Sequence, residues 1–332
     1  MTTFLIVLAI VGGLYMAWNI GANDVANAFG ASVGSKALTI RRAILLAAVC
    51  EFAGAFLVGN NVSDTISSGI VQPDSFCGSQ DALNVLAIGM LCALLGAALW
   101  LNIATFFGQP VSTTHAIIGG VIGFALIAPA CGGDCGGVES VRWWKMGTIA
   151  ASWVVSPLCG AVMAYCLYRF VIRKYVLENR RPLFMAIGTL PVAFGALTAI
   201  IVFAVTYNGL KGLHLEWELH RAALAAVGSG VLVLLVVRFA LRHKRRQSAD
   251  AEGDQFPQVE KWFSYMQIST ACFMSFAHGA NDVANAIGPM AAVFQILNQH
   301  ALPPAGQGIP IPAWLLALGG AGIVFGLATY GY

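Results

Sequence analysis

A ten-residue segment rich in amide and carboxylate side chains occurs twice in this chain of 332 residues. The copies span residues 21–30 and 279–288 and are identical at nine of ten positions. In each copy a carboxylate lies between two amides that are one helical turn apart. Such oxygens suit a small, hard cation such as Na⁺. We therefore expect a cation site, with Na⁺ at both Asp residues, formed by Asn23, Asp24, Asn27, Asn281, Asp282 and Asn285. The alternative is a buried hydrogen-bonded cluster that only fixes helix packing, and the duplication disfavours it.

A second group of polar residues, Gly-Gln-Pro-Val-Ser-Thr-Thr-His at positions 108–115, lies between two apolar segments. Pro110 breaks a helix interior but suits a first turn. Ser112, Thr113 and Thr114 then fall on a helix N-terminus, where unpaired N–H groups attract anions. The segment therefore predicts an oxyanion site. The alternative is that the three hydroxyls only bond to the preceding turn of their own helix.

Three further ionisable residues lie in or beside apolar segments, where such groups are by default candidates for function. Glu51 is a third carboxylate and a candidate for cation or proton coupling. His115 ends the hydroxyl segment and is either a charge partner or a structural residue. His278 stands directly before the second copy, where the first copy has Ile20, and its role is open.

The elements that position these groups must be membrane helices. Apolar residues make up 58% of the chain and charged residues only 10%, too few to cover a soluble protein of this length. A disordered chain, a disulfide scaffold and a cytosolic enzyme are thereby excluded, and the net charge of +3 gives no support for a nucleic-acid partner. The apolar runs are long and lack strand alternation, so an all-α polytopic membrane protein is expected.

Nine apolar runs are candidate spans, and the two longest contain the two copies. The first and eighth exceed one simple crossing, so we expect the copies to interrupt broken helices. The third and fourth form a helical hairpin that is expected to be re-entrant. The runs are residues 4–33, 43–59, 83–103, 111–129, 143–168, 183–207, 221–240, 263–294 and 313–329.

An odd number of crossings precedes residues 241–261, five if the hairpin is re-entrant and seven if it is two spans. The second copy therefore runs opposite to the first, and the repeat is expected to be inverted in topology, which is typical of secondary transporters. The expected organisation is an N-terminal membrane repeat over residues 1–240, with the re-entrant hairpin around 105–130. A solvated linker, 241–261, follows, and 262–332 begin the inverted repeat.

The basic residues are sorted by side, which predicts orientation. With the N-terminus outside the cell membrane and the 241–261 linker in the cytoplasm, only Arg142, Lys145, Lys211 and Arg221 of the 18 Lys and Arg residues fall outside. Cys131 and Cys135 share an expected outer loop, and either a disulfide or two free thiols is compatible with it.

At these residues the chain resembles the inorganic phosphate transporter (PiT) family of cation-coupled symporters. The resemblance rests on the two Gly-Ala-Asn-Asp-Val-Ala-Asn-Ala copies, the Gln-Pro-Val-Ser-Thr-Thr-His segment at 109–115 and Glu51. It implies an inverted-repeat fold, import of phosphate with Na⁺ or H⁺, a homodimer in the lipid bilayer, no enzymatic activity and no cofactor beyond the coupling ion. It also implies phosphate at Ser112, Thr113 and Thr114, with Gln109 as a neighbour, and cations at the repeated Asn and Asp residues.

The chain departs from the family pattern at one point. Members carry a second Pro-Val-Ser-Thr-Thr-His hairpin in the C-terminal repeat, and the repeat offset would place it beyond Tyr332. Either the sequence is a piece of a longer protein or half of the anion site is missing, and we expect the former.

Three other functions fit part of the pattern. A sulfate permease would also use a helix N-terminus, and an H⁺-coupled phosphate or metal-phosphate symporter would also use membrane carboxylates. An intramembrane aspartyl protease likewise needs two membrane Asp residues. It needs them to share a proton, but it needs neither the flanking amides nor the hydroxyl segment.

The orientation can be tested by accessibility labelling in intact cells. A cysteine placed at Ser248, in the basic linker, should resist a membrane-impermeant thiol reagent until the cells are permeabilised. Labelling of that cysteine in intact cells would reverse the orientation.

Overall fold

The computed structural model describes residues 2–60, 69–76, 80–131, 135–207, 217–250, 252–299, 309 and 311–331. These residues are almost entirely helical, and the only β pairing among them is an isolated bridge between Val71 and Val141. The described α-helices are α1 (Thr2–Gly34), α2 (Ile40–Val58), α3 (Gln80–Phe106), α4 (Thr113–Ile127), α5 (Trp143–Cys166), α6 (Pro182–Tyr207), α7 (Leu219–Gln247), α8 (Phe256–Gln299) and α9 (Ala313–Tyr330). Helix α5 continues as a π-helix over Leu167–Leu177.

Seven of the described helices are long and apolar enough to cross a membrane: α1, α3, α4, α5, α6, α7 and α9. The expected all-α multi-span membrane fold is confirmed. The expected crossings in α2 and α8 fall short of this measure, because α2 carries Arg41, Arg42 and Glu51 and α8 carries the polar residues of the second copy. Whether the α3–α4 hairpin is re-entrant stays a prediction.

The expected helix breaks at the two copies are wrong. Helix α1 runs without interruption for 33 residues and α8 for 44 residues, and the copies lie inside them. The glycines that suggested a break serve close packing instead. A Cβ at Gly21 would overlap the carbonyl oxygen of Ile323 in α9, and one at Gly279 would overlap the carbonyl oxygen of Glu51 in α2.

The polar linker is also more ordered than expected. Helix α7 extends to Gln247 and α8 begins at Phe256, so helical structure covers most of residues 241–261. Three basic residues in the last turn of α7 stabilise its C-terminus through the helix dipole. Ser248 is buried here, with 4% of its surface exposed, so exposed Glu252 is the better position for the labelling cysteine.

The chain forms two compact units. The first comprises Met1–Gly30, Ile40–Met146 and Met274–Tyr332, and the second comprises Ala31–Thr39 and Gly147–Phe273. All the candidate site residues belong to the first unit. The division by repeats into 1–240, 241–261 and 262–332 describes internal symmetry instead, and it stays a prediction.

Within the first unit, the two copies make equivalent backbone contacts. A Cβ at Gly326 of α9 would overlap the carbonyl oxygen of Trp18 and approach the nitrogen of Ala22 in α1. A Cβ at Gly54 of α2 would overlap the carbonyl oxygen of Phe276 and approach the nitrogen of Ala280 in α8. Phe276 and Ala280 are the repeat equivalents of Trp18 and Ala22. Helix α9 therefore packs on the first copy as α2 packs on the second, and their inverted orientation stays a prediction.

Within the second unit, α6 and α7 pack closely where Gly195 and Gly230 face each other. A Cβ on either glycine would lie 2.8 Å from the carbonyl oxygen of the other. Such contacts between small residues are the usual way for membrane helices to associate. In contrast, α5 has no buried residue between Trp143 and Cys166.

Candidate functional site

A cavity of about 430 Å³ lies where the first copy, the second copy and the start of α4 meet. Its lining brings together the two polar motifs, which are far apart in sequence. The lining residues are Asp24, Asn27, Pro110, Val111, Ser112, Thr113, Thr114, Asn281 and Asp282. Carboxylate and amide groups thus face the N-terminal turn of a helix across one cavity.

The start of α4 has the geometry of an anion site. Ser112 is the N-cap, in extended backbone conformation, and its Oγ accepts the N–H of His115 at 3.2 Å. Among the described residues, the N–H groups of Thr113 and Thr114 have no acceptor. These N–H groups and the positive end of the helix dipole are available to a negatively charged ligand.

The three hydroxyls of this turn have different roles. Thr113 is buried; it donates to Asp282 Oδ2 at 2.8 Å and accepts from Asn285 Nδ2 at 3.0 Å, so its single proton is already used. Thr114 accepts from Asn285 at 3.1 Å and retains its proton for a ligand. Ser112 also retains its proton, since its bond to His115 is as an acceptor. The hydroxyls of Ser112 and Thr114 thus keep a proton for a ligand, whereas the hydroxyl of Thr113 joins α4 to α8, and the expected phosphate site at all three residues stays a prediction.

Asn23 fixes the turn of the α3–α4 hairpin onto α1. Its Nδ2 donates to Thr105 Oγ1 at 2.8 Å and to the carbonyl oxygen of Gln109 at 3.2 Å. Its Oδ1 accepts the N–H of Val111 at 3.1 Å. The side chain thus positions the hairpin turn and does not line the 430 Å³ cavity, and the expected role of Asn23 as a cation ligand stays a prediction.

Two other expected site residues lie away from this cavity. The side chain of Gln109 lines a neighbouring cavity of about 470 Å³, together with Asn23, Asn27 and Tyr330. His115 is exposed and is not among the residues that line the anion cavity. For Gln109 the link to the anion site is indirect, through the bond from Asn23 to its carbonyl. The side chain of Cys131 lies outside the described residues, so the disulfide question stays open.

The remaining residues of the copies differ in their partners. In the first copy, Asn27 donates to Asp24 Oδ1 at 3.0 Å. In the second, Asn281 donates to Asp282 Oδ1 at 3.0 Å, while Asn285 donates to the hydroxyls of α4. The second copy thus supports the anion site directly, whereas the first supports the hairpin turn. The expected equivalence of the two copies does not hold at the level of side chains.

His278 lies at the centre of three carboxylates, a role that the sequence left open. Its Nε2 is 3.2 Å from Asp282 Oδ2 and 3.6 Å from Asp24 Oδ2, and its Nδ1 is 3.3 Å from Glu51 Oε1. Neither ring nitrogen has a hydrogen-bond partner among the described residues, so both nitrogens lie close to carboxylate oxygens without a hydrogen bond to them. Glu51 is fully buried, and its Oε1 accepts from Ser275 Oγ at 3.2 Å.

Ligand atoms of Asp24, His278 and Asp282 lie within 4.8 Å of one another, close enough for one metal ion to contact all three. Oxygen ligands alone suit Na⁺, whereas an imidazole nitrogen extends the range to divalent transition metals. The arrangement can therefore hold a cation directly beside the anion site.

The pair formed by Glu51 and His278 has an apolar counterpart. Ile20 is the repeat equivalent of His278, and Ile323 contacts Gly21 in the way that Glu51 contacts Gly279. Both isoleucines are fully buried. The fold thus keeps the same backbone packing at both places and puts an acid and a histidine at only one of them. Sequence alone pairs Ile20 with His278 but does not align Ile323 with Glu51.

Comparisons with known proteins agree on one family. A family model described as "Phosphate transporter family" matches residues 20–332. The chloroplast inorganic phosphate transporter 2-1 of Arabidopsis thaliana is 41% identical over 340 residues, which cover 96% of this chain and 55% of that protein. A solved structure titled "The sodium-dependent phosphate transporter" is similar with a TM-score of 0.86 and 35% identity, over 99% of this chain and 76% of that one.

The paired burial of Glu51 and His278 can be tested by a double-mutant cycle. His278→Ile alone should destabilise the protein by about 3–5 kcal/mol, because it leaves the buried carboxylate of Glu51 without its charge partner. Glu51→Ile alone should cost less, because His278 keeps its contacts with Asp24 and Asp282. The double variant should be more stable than His278→Ile alone, since it also removes the buried carboxylate that has lost its partner. The measurement is thermal unfolding in detergent. Additive losses in the double variant would show that the two residues do not act as a pair.

Proposed function

Because the chain belongs to the phosphate transporter family, we propose that it imports inorganic phosphate by symport with Na⁺, with both ligands in the 430 Å³ cavity. The observation that carries the proposal is the placement of an unpaired helix N-terminus opposite Asp24 and Asp282. Membership of this family also argues against the alternative function as an intramembrane aspartyl protease, since the matching family and relative of this chain are named as phosphate transporters.

Phosphate would bind to the first turn of α4. Four donors at this turn are available to the phosphate. They are the N–H groups of Thr113 and Thr114 and the hydroxyl protons of Ser112 and Thr114. A singly protonated phosphate can in addition donate to a carboxylate, which sulfate cannot do at neutral pH. Asp24 and Asp282 line the same cavity and are the acceptors for that proton. This donor and acceptor set favours phosphate over sulfate.

Charge balance supplies the reason for coupling. Two Asp carboxylates and a phosphate dianion in one partly buried cavity repel one another strongly, because the local dielectric is low. A cation bound between them reduces that repulsion, so phosphate affinity should depend on the cation. Asp24, Asn27, Asn281 and Asp282 provide oxygen ligands of the kind that Na⁺ accepts. The similarity to a structure titled as sodium-dependent supports Na⁺ over H⁺.

One observation favours a second candidate, the transport of a metal phosphate. His278 adds a nitrogen ligand to Asp24 and Asp282, and such a mixed set suits divalent metals better than Na⁺. Uptake of labelled phosphate into proteoliposomes separates the candidates. Na⁺ coupling predicts stimulation by a Na⁺ gradient, proton coupling predicts stimulation by a pH gradient alone, and metal-phosphate transport predicts a dependence on divalent cations without Na⁺.

The same proposal places the protein in the cell membrane with the N-terminus outside and residues 241–261 in the cytoplasm. Its support is the sorting of Lys and Arg residues. The cysteine-labelling experiment, moved to Glu252, tests this part independently of transport.

Removal of the two free hydroxyls should weaken phosphate binding without unfolding the protein. A hydrogen bond to a charged group contributes about 1.5–3 kcal/mol, so Ser112→Ala combined with Thr114→Val should lower phosphate affinity more than about tenfold. The separate variant Thr113→Val should lower the unfolding temperature of the protein, because the Thr113 hydroxyl connects α4 to Asp282 and Asn285. The measurements are calorimetric phosphate titration at saturating Na⁺ and thermal unfolding.

The matched control for these variants is Thr198→Val in α6. The Thr198 hydroxyl bonds to the carbonyl of Phe194 within its own helix, so its loss should leave phosphate affinity unchanged. An unchanged affinity in the Ser112 and Thr114 variant would place the phosphate elsewhere.

Removal of one negative charge at either Asp should weaken the dependence of phosphate binding on Na⁺. Asp24→Asn and Asp282→Asn keep the side-chain size but lose a charge that balances the cation. The lost charge should cost several kcal/mol of cation affinity, and phosphate should weaken with it because coupling is reciprocal. Asp282→Asn should also reduce thermal stability more than Asp24→Asn, because the carboxylate of Asp282 accepts the hydrogen bond from the Thr113 hydroxyl.

The measurement is phosphate affinity as a function of Na⁺ concentration for the two variants and the unsubstituted chain. If both variants keep the original Na⁺ dependence, Asp24 and Asp282 are packing residues and the cation binds elsewhere.

A further inference from the structure

A basic cavity of about 510 Å³ lies in the second unit, between the start of α6 and the last turns of α7. Four arginines of α7 line it at the spacing of one helix face. Phe184 of α6 and two apolar residues of α7 complete the wall. The α7 residues are Leu235, Arg238, Phe239, Arg242, Arg245 and Arg246.

The charge of this cavity is not neutralised by the protein. Within the part of the chain that the structure describes, no carboxylate lies within 4.0 Å of any of the four guanidinium groups. Four positive charges on two turns of one helix repel one another. Such an arrangement is stabilised by a bound anion, and arginine guanidinium groups are particularly suited to phosphate.

Arg245 packs closely against Phe184 and Gly188 on the wall of the cavity. Its guanidinium lies over the ring of Phe184, 4.3 Å from the ring centroid. Gly188 makes room for it, since a Cβ at this position would lie 2.9–3.1 Å from the guanidinium atoms. The Nε atom is buried and has no hydrogen-bond partner among the described residues. A buried donor without a partner is costly and indicates an unfilled ligand position.

The apolar part of the wall continues along the membrane helix. Leu235 and Phe239 are 56% and 77% exposed, and Leu232, one turn earlier, is 62% exposed. They lie on the helix whose candidate span is Leu219–Asp250, so the arginines mark one end of a lipid-facing surface. A ligand that fills the cavity therefore needs a phosphate at one end and hydrocarbon at the other.

We propose that this cavity binds the headgroup of an anionic phospholipid, with the acyl chains along Leu235 and Phe239. Free inorganic phosphate would leave the apolar wall uncovered. A zwitterionic headgroup would place its own cation beside four arginines. Basic pockets at the ends of membrane helices are known to suit anionic lipid headgroups. This site is in a different unit of the chain from the transport site and does not depend on the function proposed above.

The test uses purified, delipidated protein in detergent, with thermal unfolding and native mass spectrometry as readouts. Phosphatidylglycerol should raise the unfolding temperature in a concentration-dependent way and remain bound in the mass spectrum, because a ligand that binds only the folded state stabilises it. The variant Arg242→Gln with Arg246→Gln should lose most of this effect. Both arginines are exposed, so the variant should still fold.

The matched control is Arg41→Gln with Arg42→Gln, which removes the same charge from exposed positions at the start of α2 and should retain the effect. Three outcomes would overturn the proposal. Equal stabilisation by phosphatidylcholine would indicate general solvation by lipid. Equal stabilisation by inorganic phosphate or polyglutamate would indicate an anion or peptide site. An undiminished phosphatidylglycerol effect in the Arg242 and Arg246 variant would place the lipid elsewhere.

Discussion

Three carboxylates share one imidazole in the interior of the first unit, and the electrostatics of this cluster governs the site. Asp24, Glu51 and Asp282 come from α1, α2 and α8, and all approach His278. Even a protonated histidine leaves the cluster with surplus negative charge, which is expensive where water is largely excluded. In the function that we propose, the coupling cation balances this surplus. The close crossing of α2 and α8 at Gly54 and Gly279 brings Glu51 next to His278.

The candidate anion and cation sites share hydrogen bonds, which gives coupling a physical route. Asp282 and Asn285 hold the hydroxyl of Thr113, and Asn23 holds the turn that precedes it. A cation that draws Asp282 toward itself therefore acts on the first turn of α4. An anion on that turn acts on Asp282 in the same way. Such linkage must be reciprocal, so neither ligand can be regarded as the sole regulator of the other.

The repeat conserves packing but not charge. Gly21 and Gly279, with Gly326 and Gly54, make the same backbone contacts in the two halves, because both helix crossings need the same close approach. At equivalent contacts, one half of the repeat has the buried side chains of Ile20 and Ile323, and the other half has Glu51 and His278. A duplicated acid and histidine would bury a second set of charges. A single set is sufficient for one cavity and avoids that cost.

The sequence by itself determined the membrane class, most of the helices and the two polar motifs, because apolar runs and near-identical segments are local properties. It also indicated many of the residues that line the cavity, since carboxylates and a hydroxyl-rich helix start within apolar segments are candidates for function. It could not assign Asn23, Thr113 or His278, whose roles depend on atoms distant in the chain. Gly21 illustrates the reason. A glycine suits either a helix break or a close crossing, and only the carbonyl of Ile323, brought near by the tertiary structure, decides between them.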